Sequence, residues 1–249
     1  MIGGRTLAPM SGMGTTGTTS AAPTVAPART LVWPRYALPA FVLVSVLNLV
    51  FEAAGPRLGF DLTKPLLMPL LAAAMLARGR ATPRLLLGAL LGSFVGDTML
   101  LFSGNWFLVG MAGFAVTHVC YIRLFVRAGA LRRRVRVYPA ALFYSVLWVL
   151  LITLLWPDLA TGMRIPVACY SLLLASMATC AAVAGRRTRI GGALFLVSDT
   201  MIAGGLAHWH MPTGTGFAVM ATYLIGQYLL ATGCMTIAGQ ARRLRGDRR

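Results

Sequence analysis

Apolar runs broken by short polar stretches divide most of the chain into eight segments, at about 37–54, 62–77, 85–103, 107–127, 137–156, 165–184, 190–207 and 216–238. Most come close to the roughly 20 residues that a helix needs to cross a bilayer. The pattern predicts an all-α fold, a polytopic membrane bundle of eight transmembrane helices. The second segment is the weakest, because its uninterrupted apolar stretch from Pro65 to Ala77 is short and contains Pro69. It is expected to cross as a short or kinked helix. Residues 1–33, rich in Gly, Thr, Ala, Ser and Pro, have no apolar pattern with which to pack and are expected as a disordered cytoplasmic tail. The transmembrane domain then occupies 34–240, and 241–249 form a basic cytoplasmic tail.

Composition agrees with a membrane class. Hydrophobic residues make up 57% of the chain and charged ones 12%, too little polar surface for a soluble globule. The net charge of +17 does not indicate nucleic acid, because the arginines fall in short loops between apolar runs rather than on one polar face. If all eight segments span, the amino-terminal tail, the loops Arg78 to Arg84, Arg127 to Arg136 and Arg186 to Arg189, and the carboxyl-terminal tail share one side. That side collects 20 of the 23 Lys and Arg, leaving Arg57, Lys64 and Arg164 opposite. The asymmetry places both termini in the cytoplasm. The four cysteines lie within apolar segments, show no metal-ligand spacing and are read as packing residues.

A repeat emerges once the spans are numbered. Lys64-Pro65 opening the second span is echoed by Arg164-Ile165-Pro166 opening the sixth, and Asp97-Thr98-Met99 in the third by Asp199-Thr200-Met201 in the seventh. Phe114 and His118 in the fourth are echoed by Tyr223 and Gln227 in the eighth. An even number of helices separates each pair, so the halves are two parallel four-helix repeats about an axis along the membrane normal. In the third span Gly88, Gly92 and Gly96 form a stripe suited to close helix approach, with Asp97 at its edge.

An ionisable residue in the middle of an apolar span is costly and marks a candidate site. Asp97 and Asp199 are the leading candidates, with His118, Tyr223 and Gln227 at a similar depth and Ser198 and Tyr121 on the same helix faces. All are expected to line one cavity at the axis. Lys64 and Arg164 at the rim suit either snorkelling to the interface or holding a lipid phosphate. His208 and His210 lack a third ligand nearby, so no metal site is expected.

The run Lys64-Pro65 with Met68, Gly96-Asp97, then Phe107, Gly110, Phe114, His118 and Tyr121, then Pro166 with Tyr170, Gly192-Ala193 with Phe195 and Ser198-Asp199, and finally Tyr223 with Gln227 resembles the YhhN-type lysoplasmalogenase family. The likeness covers about residues 40 to 238; the long amino-terminal tail departs from the family pattern. It implies a hydrolase of a bacterial plasma membrane that takes a lysophospholipid from the bilayer and cleaves the vinyl ether bond of lysoplasmalogens without a cofactor. Two neighbouring carboxyls in a low-dielectric site cannot both ionise readily, so one can hold the proton while the other stays charged, which is what protonation of a vinyl ether and capture of the cation require. A proton-coupled small-molecule or lipid transporter is the competing expectation, since parallel repeats and intramembrane acids also occur there.

The charge asymmetry makes a direct prediction. A single cysteine introduced between Arg127 and Arg136 should resist membrane-impermeant maleimide in intact cells and react after permeabilisation; labelling in intact cells would overturn the assigned topology.

Overall fold

The computed structural model describes residues 36–78, 82–102 and 104–246, with side chains as far as Ala241. The amino-terminal stretch 1–33 expected as a tail lies outside the described residues. Among the described residues the fold is all-helical, with helices α1 (Ala37–Ala54), α2 (Arg57–Leu76), α3 (Arg84–Met99), α4 (Trp106–Arg127), α5 (Arg134–Leu155), α6 (Thr161–Ala184), α7 (Arg186–Leu206) and α8 (Thr215–Gly246). A single 3-10 turn, Ala130–Arg132, joins α4 to α5. The boundary expected at residue 240 therefore falls inside α8.

Seven of the eight helices are long and apolar enough to cross a bilayer. The exception is α3 with 16 residues, not the doubtful second segment. In α2 the helix starts upstream at Arg57, beneath Pro56, and runs 20 residues straight through Pro65 and Pro69. Its polar opening turns, with Arg57, Asp61 and Lys64, had hidden its length. At about 1.5 Å per residue α3 rises only about 24 Å, short of the roughly 30 Å hydrocarbon core.

Helix packing repeats between the halves. The pairs α1–α2, α2–α3 and α3–α4 are matched by α5–α6, α6–α7 and α7–α8, and the cross-contact of α2 with α8 is matched by α4 with α6. The match is uneven, since α4 packs on α6 far more extensively than α2 on α8, and α1 packs on α8, with Phe41 and Tyr228 stacked at 6.4 Å, whereas α5 relies mainly on α6 and leaves most of its surface exposed.

The glycine stripe of α3 is where α4 comes closest. A methyl added at Gly92 would stand 2.7 Å from the Gly113 carbonyl oxygen, and one at Gly113 would stand 2.8 Å from the Gly96 nitrogen. The pair α7–α8 uses the same device, since a methyl at Gly191 would stand 2.8 Å from the Gly226 carbonyl oxygen. Small residues let backbones approach, and dispersion contacts then replace lipid. At the arginine-rich end, the carbonyls closing α6 are satisfied by side chains: Thr188 donates to Ala181 at 2.8 Å, Arg189 to Ala182 at 2.9 Å and Arg133 to Val183 at 3.0 Å. These arginines thus cap a helix C-terminus as well as following the charge asymmetry.

Gly92→Ala should lower the unfolding free energy by about 1–3 kcal/mol through overpacking against backbone. Gly205→Ala, where nothing lies within 4 Å, should be neutral or slightly stabilising. Denaturant titration of both variants in detergent micelles checks the contrast.

Candidate active site

The close approach of α3 and α4 brings Asp97, only 2% exposed, against α8. There Tyr223 donates its hydroxyl proton to Asp97 Oδ2 at 2.6 Å. One helical turn along α8, Gln227 donates through Nε2 to Ser93 Oγ at 2.7 Å and to the Tyr223 oxygen at 3.4 Å, and its Oε1 accepts from the Tyr121 hydroxyl at 3.0 Å. Ser93 lies 3.0 Å from Thr117 Oγ1, which donates onward to the Ala89 carbonyl at 2.9 Å. The network crosses α3, α4 and α8, and all its side chains are buried. Such closure is what the bilayer interior demands, because an unsatisfied polar group there costs several kcal/mol.

Asp199 on α7 has a different partner. The Tyr170 hydroxyl, from α6, donates to Asp199 Oδ2, and His118 Nε2 lies 3.1 Å from the same hydroxyl oxygen. A phenol has one proton, here committed to the carboxylate, so the imidazole must donate to the phenol oxygen. That sets the Nε2–H tautomer and leaves Nδ1 as a buried acceptor without a hydrogen-bond partner among the described residues. His118 is fully buried, while Asp199 and Tyr170 are half-buried.

Both half-buried groups open onto a cleft between α4, α5, α6 and α7, with about 830 Å³ of empty space including its mouth. Its wall is almost wholly apolar, from Phe107, Met111 and Leu151 to Leu174 and Ile202, with Asp199 as its one carboxyl. Trp148 and Ser171, hydrogen-bonded to each other at 3.0 Å, also belong to it. Phe114 is part of the wall and meets Tyr223 edge-on at 5.9 Å, and Phe195 meets Phe114, Tyr223 and His118 at 6.1, 5.4 and 4.9 Å. The two polar clusters therefore join across aromatic rings. The carboxyls of Asp97 and Asp199 are within electrostatic reach of each other, and each is held by its own tyrosine.

Comparison with known proteins adds to this geometry. The YhhN family model matches residues 59–234, a range that contains every residue of both clusters. This chain belongs to the YhhN family. Among its relatives is the rat lysoplasmalogenase TMEM86B, 31% identical over 180 residues that cover 71% of this chain and 72% of the relative. The pig protein of that name is 36% identical over 151 residues, 58% of this chain and 60% of the relative. The human one is 30% identical over 158 residues, 61% and 64% of the two chains. No solved structure matches. Family and helices together make the chain an integral membrane protein.

Within this YhhN chain the candidate residues divide by position. Asp97, Tyr223, Gln227 and Tyr121 form the closed cluster; Asp199 and His118 belong to the second, of which Asp199 reaches the cleft wall. The single cavity expected to be lined by both carboxyls is thus not the arrangement at this cleft, because Phe114 stands between it and Tyr223. Ser198 donates to the Val219 carbonyl at 3.0 Å and ties α7 to α8. Lys64 lies over the Phe60 ring at 5.1 Å and within electrostatic reach of Asp97. Arg164 donates to the Leu159 and Pro157 carbonyls at 3.1 and 3.3 Å. Three members were missing from the site read along the sequence: Ser93, Thr117 and Tyr170. Ser93 stands one turn before Asp97 on the same helix face, a signal that was available. Tyr170 was visible one turn after Pro166, but nothing local ties it to a carboxyl on another helix.

Gln227→Leu should cost about 1–3 kcal/mol, because Tyr121 and Ser93 lose a buried partner. Adding Tyr121→Phe should restore part of that loss, a coupling of at least about 0.5 kcal/mol in a double-mutant cycle read by denaturant titration.

Proposed function

We propose that the protein hydrolyses the vinyl ether bond of lysoplasmalogens, releasing a fatty aldehyde and a glycerophospho-alcohol, with Asp199 as the carboxyl that meets the substrate. The observation carrying this reading is a half-buried carboxyl, held by a tyrosine, in the wall of an otherwise apolar cleft at membrane depth. The relatives named lysoplasmalogenase support the substrate class.

The reaction asks for one proton and one anion. Asp199 in its acid form gives its proton to the vinyl β-carbon, and the positive charge develops on the α-carbon and the ether oxygen. Water adds to the α-carbon and returns a proton to Asp199, and the hemiacetal collapses to aldehyde and alcohol. Atoms balance with water as the sole co-reactant. Asp97, sealed behind Phe114 and Tyr223, acts on the developing cation through its charge rather than by contact. Tyr170, occupying one oxygen of Asp199, leaves the other free for substrate. A lysophospholipid enters with its chain in the apolar part of the cleft, where lipid and wall are chemically alike. Helix α7 runs unbroken through Asp199 to Leu206, whereas Asp97 lies in the last turn of α3; the continuous α7 favours a fixed site over the interrupted helices of a carrier.

Asp199→Asn keeps size and polarity but removes the acid, so aldehyde release from a lysoplasmalogen by purified protein should fall at least about 100-fold. Asp97→Asn should also slow release, and the double variant should be little worse than the slower single one. Normal release by Asp199→Asn would remove this residue from the chemistry.

A further inference from the structure

One charged group beside the cleft has no part in either cluster. Arg164 sits in the first turn of α6, one helical turn before Val167 of the cleft wall, and its guanidinium carbon lies 5.8 Å from the centre of the Trp156 ring, next in sequence to Leu155 of that wall. Nε and Nη2 are committed to the Leu159 and Pro157 carbonyls, whereas Nη1 makes no hydrogen bond and no carboxylate pairs with the group, among the described residues. Backbone carbonyls and an indole face thus hold a cation in place while more than half of its five N–H donors stay uncommitted. The other two cations at this end of the bundle, Arg57 and Lys64, are on α2 in the other half.

The spacing also fits. Arg164 precedes Tyr170 by six residues on α6, about 9 Å along the axis at about 1.5 Å per residue. In a lysoplasmalogen seven bonds separate the vinyl β-carbon from phosphorus, an extended span of about 8 Å at the roughly 1.2 Å per bond of an extended chain. With the β-carbon at Asp199, which Tyr170 touches, the phosphate of an extended head group comes to the backbone level of Arg164, whose guanidinium reaches on toward the Pro157 and Leu159 carbonyls.

We propose that Arg164 is the head-group site of this cleft, taking the phosphodiester of a single-chain ether phospholipid through its free guanidinium edge. The proposal rests on the vinyl ether reading for its register, and it makes the cleft selective for phosphorylated over neutral glycerol ethers. A preset guanidinium loses little freedom when it meets an anion, so the contact contributes as a strong charge-assisted pair.

Binding of two ligands that cannot react, a 1-O-alkyl glycerophosphoethanolamine and the phosphate-free 1-O-alkylglycerol, tests this on the full chain in nanodiscs. The wild-type protein should prefer the phospholipid. Arg164→Ala should weaken the phospholipid by about 10- to 100-fold and leave the alkylglycerol unchanged; Arg164→Lys, which keeps charge without the planar fork, should fall between. Equal weakening of both ligands would assign Arg164 to holding the Pro157–Leu159 loop and overturn the proposal, as would an unchanged phospholipid affinity or a wild-type protein that binds neither ligand. Selective loss in a protein that releases no aldehyde from a lysoplasmalogen would uphold the head-group site and reject the hydrolase reading.

Discussion

A carboxyl inside an apolar bundle must be satisfied by the protein, since neither lipid nor bulk water can do it. Here the answer is a tyrosine brought from another helix, Tyr223 for Asp97 and Tyr170 for Asp199. Much of the helix arrangement follows from that requirement. Tyr223 reaches Asp97 across the packed pair α3–α4, which α8 meets through side chains. The small residues at 92, 96 and 113 allow the first contact, and Ser93, Thr117, Tyr121 and Gln227 bind the three helices together. The burial of Asp97 and the packing of α3, α4 and α8 therefore rest on the same set of interactions.

The halves repeat in sequence and in packing, yet they treat their aspartates differently, and one residue type accounts for much of it. The position that carries Tyr223 in the second half carries Phe114 in the first. Phenylalanine has no hydroxyl, so α4 cannot do for Asp199 what α8 does for Asp97, and Asp199 turns to Tyr170 on α6. The outer helices reinforce the difference. Where α1 closes on α8 with Phe41 against Tyr228, α5 stays with α6, and the space between α4, α5, α6 and α7 opens beside Asp199. Repetition supplies two carboxyls, and the departure from symmetry gives access to one of them.

The eight helices were legible because an apolar run of about 20 residues has few other solutions. Where that reading erred, it erred at helix ends: the polar Arg57, Asp61 and Lys64 disguised the start of α2, and the apolar letters Leu100 to Phe102 made α3 seem longer than its 16 residues. The glycine stripe of α3 was legible because spacing by four puts Gly88, Gly92 and Gly96 on one face. Asp97 and Asp199 were legible as isolated charges in apolar runs. Their partners were less so, because periodicity assigns a residue to a face of its own helix and says little about which helix meets that face. Tyr170 is the clear case, a tyrosine among apolar neighbours whose role exists only once α6 lies between α4 and α7. The cleft was invisible for the same reason, being the product of a contact between α5 and α4 that is largely not made.

Hydrogen-bond direction gives the second cluster a polarity that distances alone do not. With its one proton on Asp199 Oδ2, the Tyr170 oxygen can only accept from His118, so proton ownership is set along the whole row from imidazole through phenol to carboxylate. The row holds Asp199 by one oxygen from the protein side, and the other oxygen makes no hydrogen bond among the described residues. His118, fully buried with Phe195 against its ring, acts at a remove by keeping the phenol turned toward the carboxylate. The carboxyl thus stands in the cleft wall with one oxygen already taken, and the histidine that stood out in the sequence reaches it only through the phenol of Tyr170.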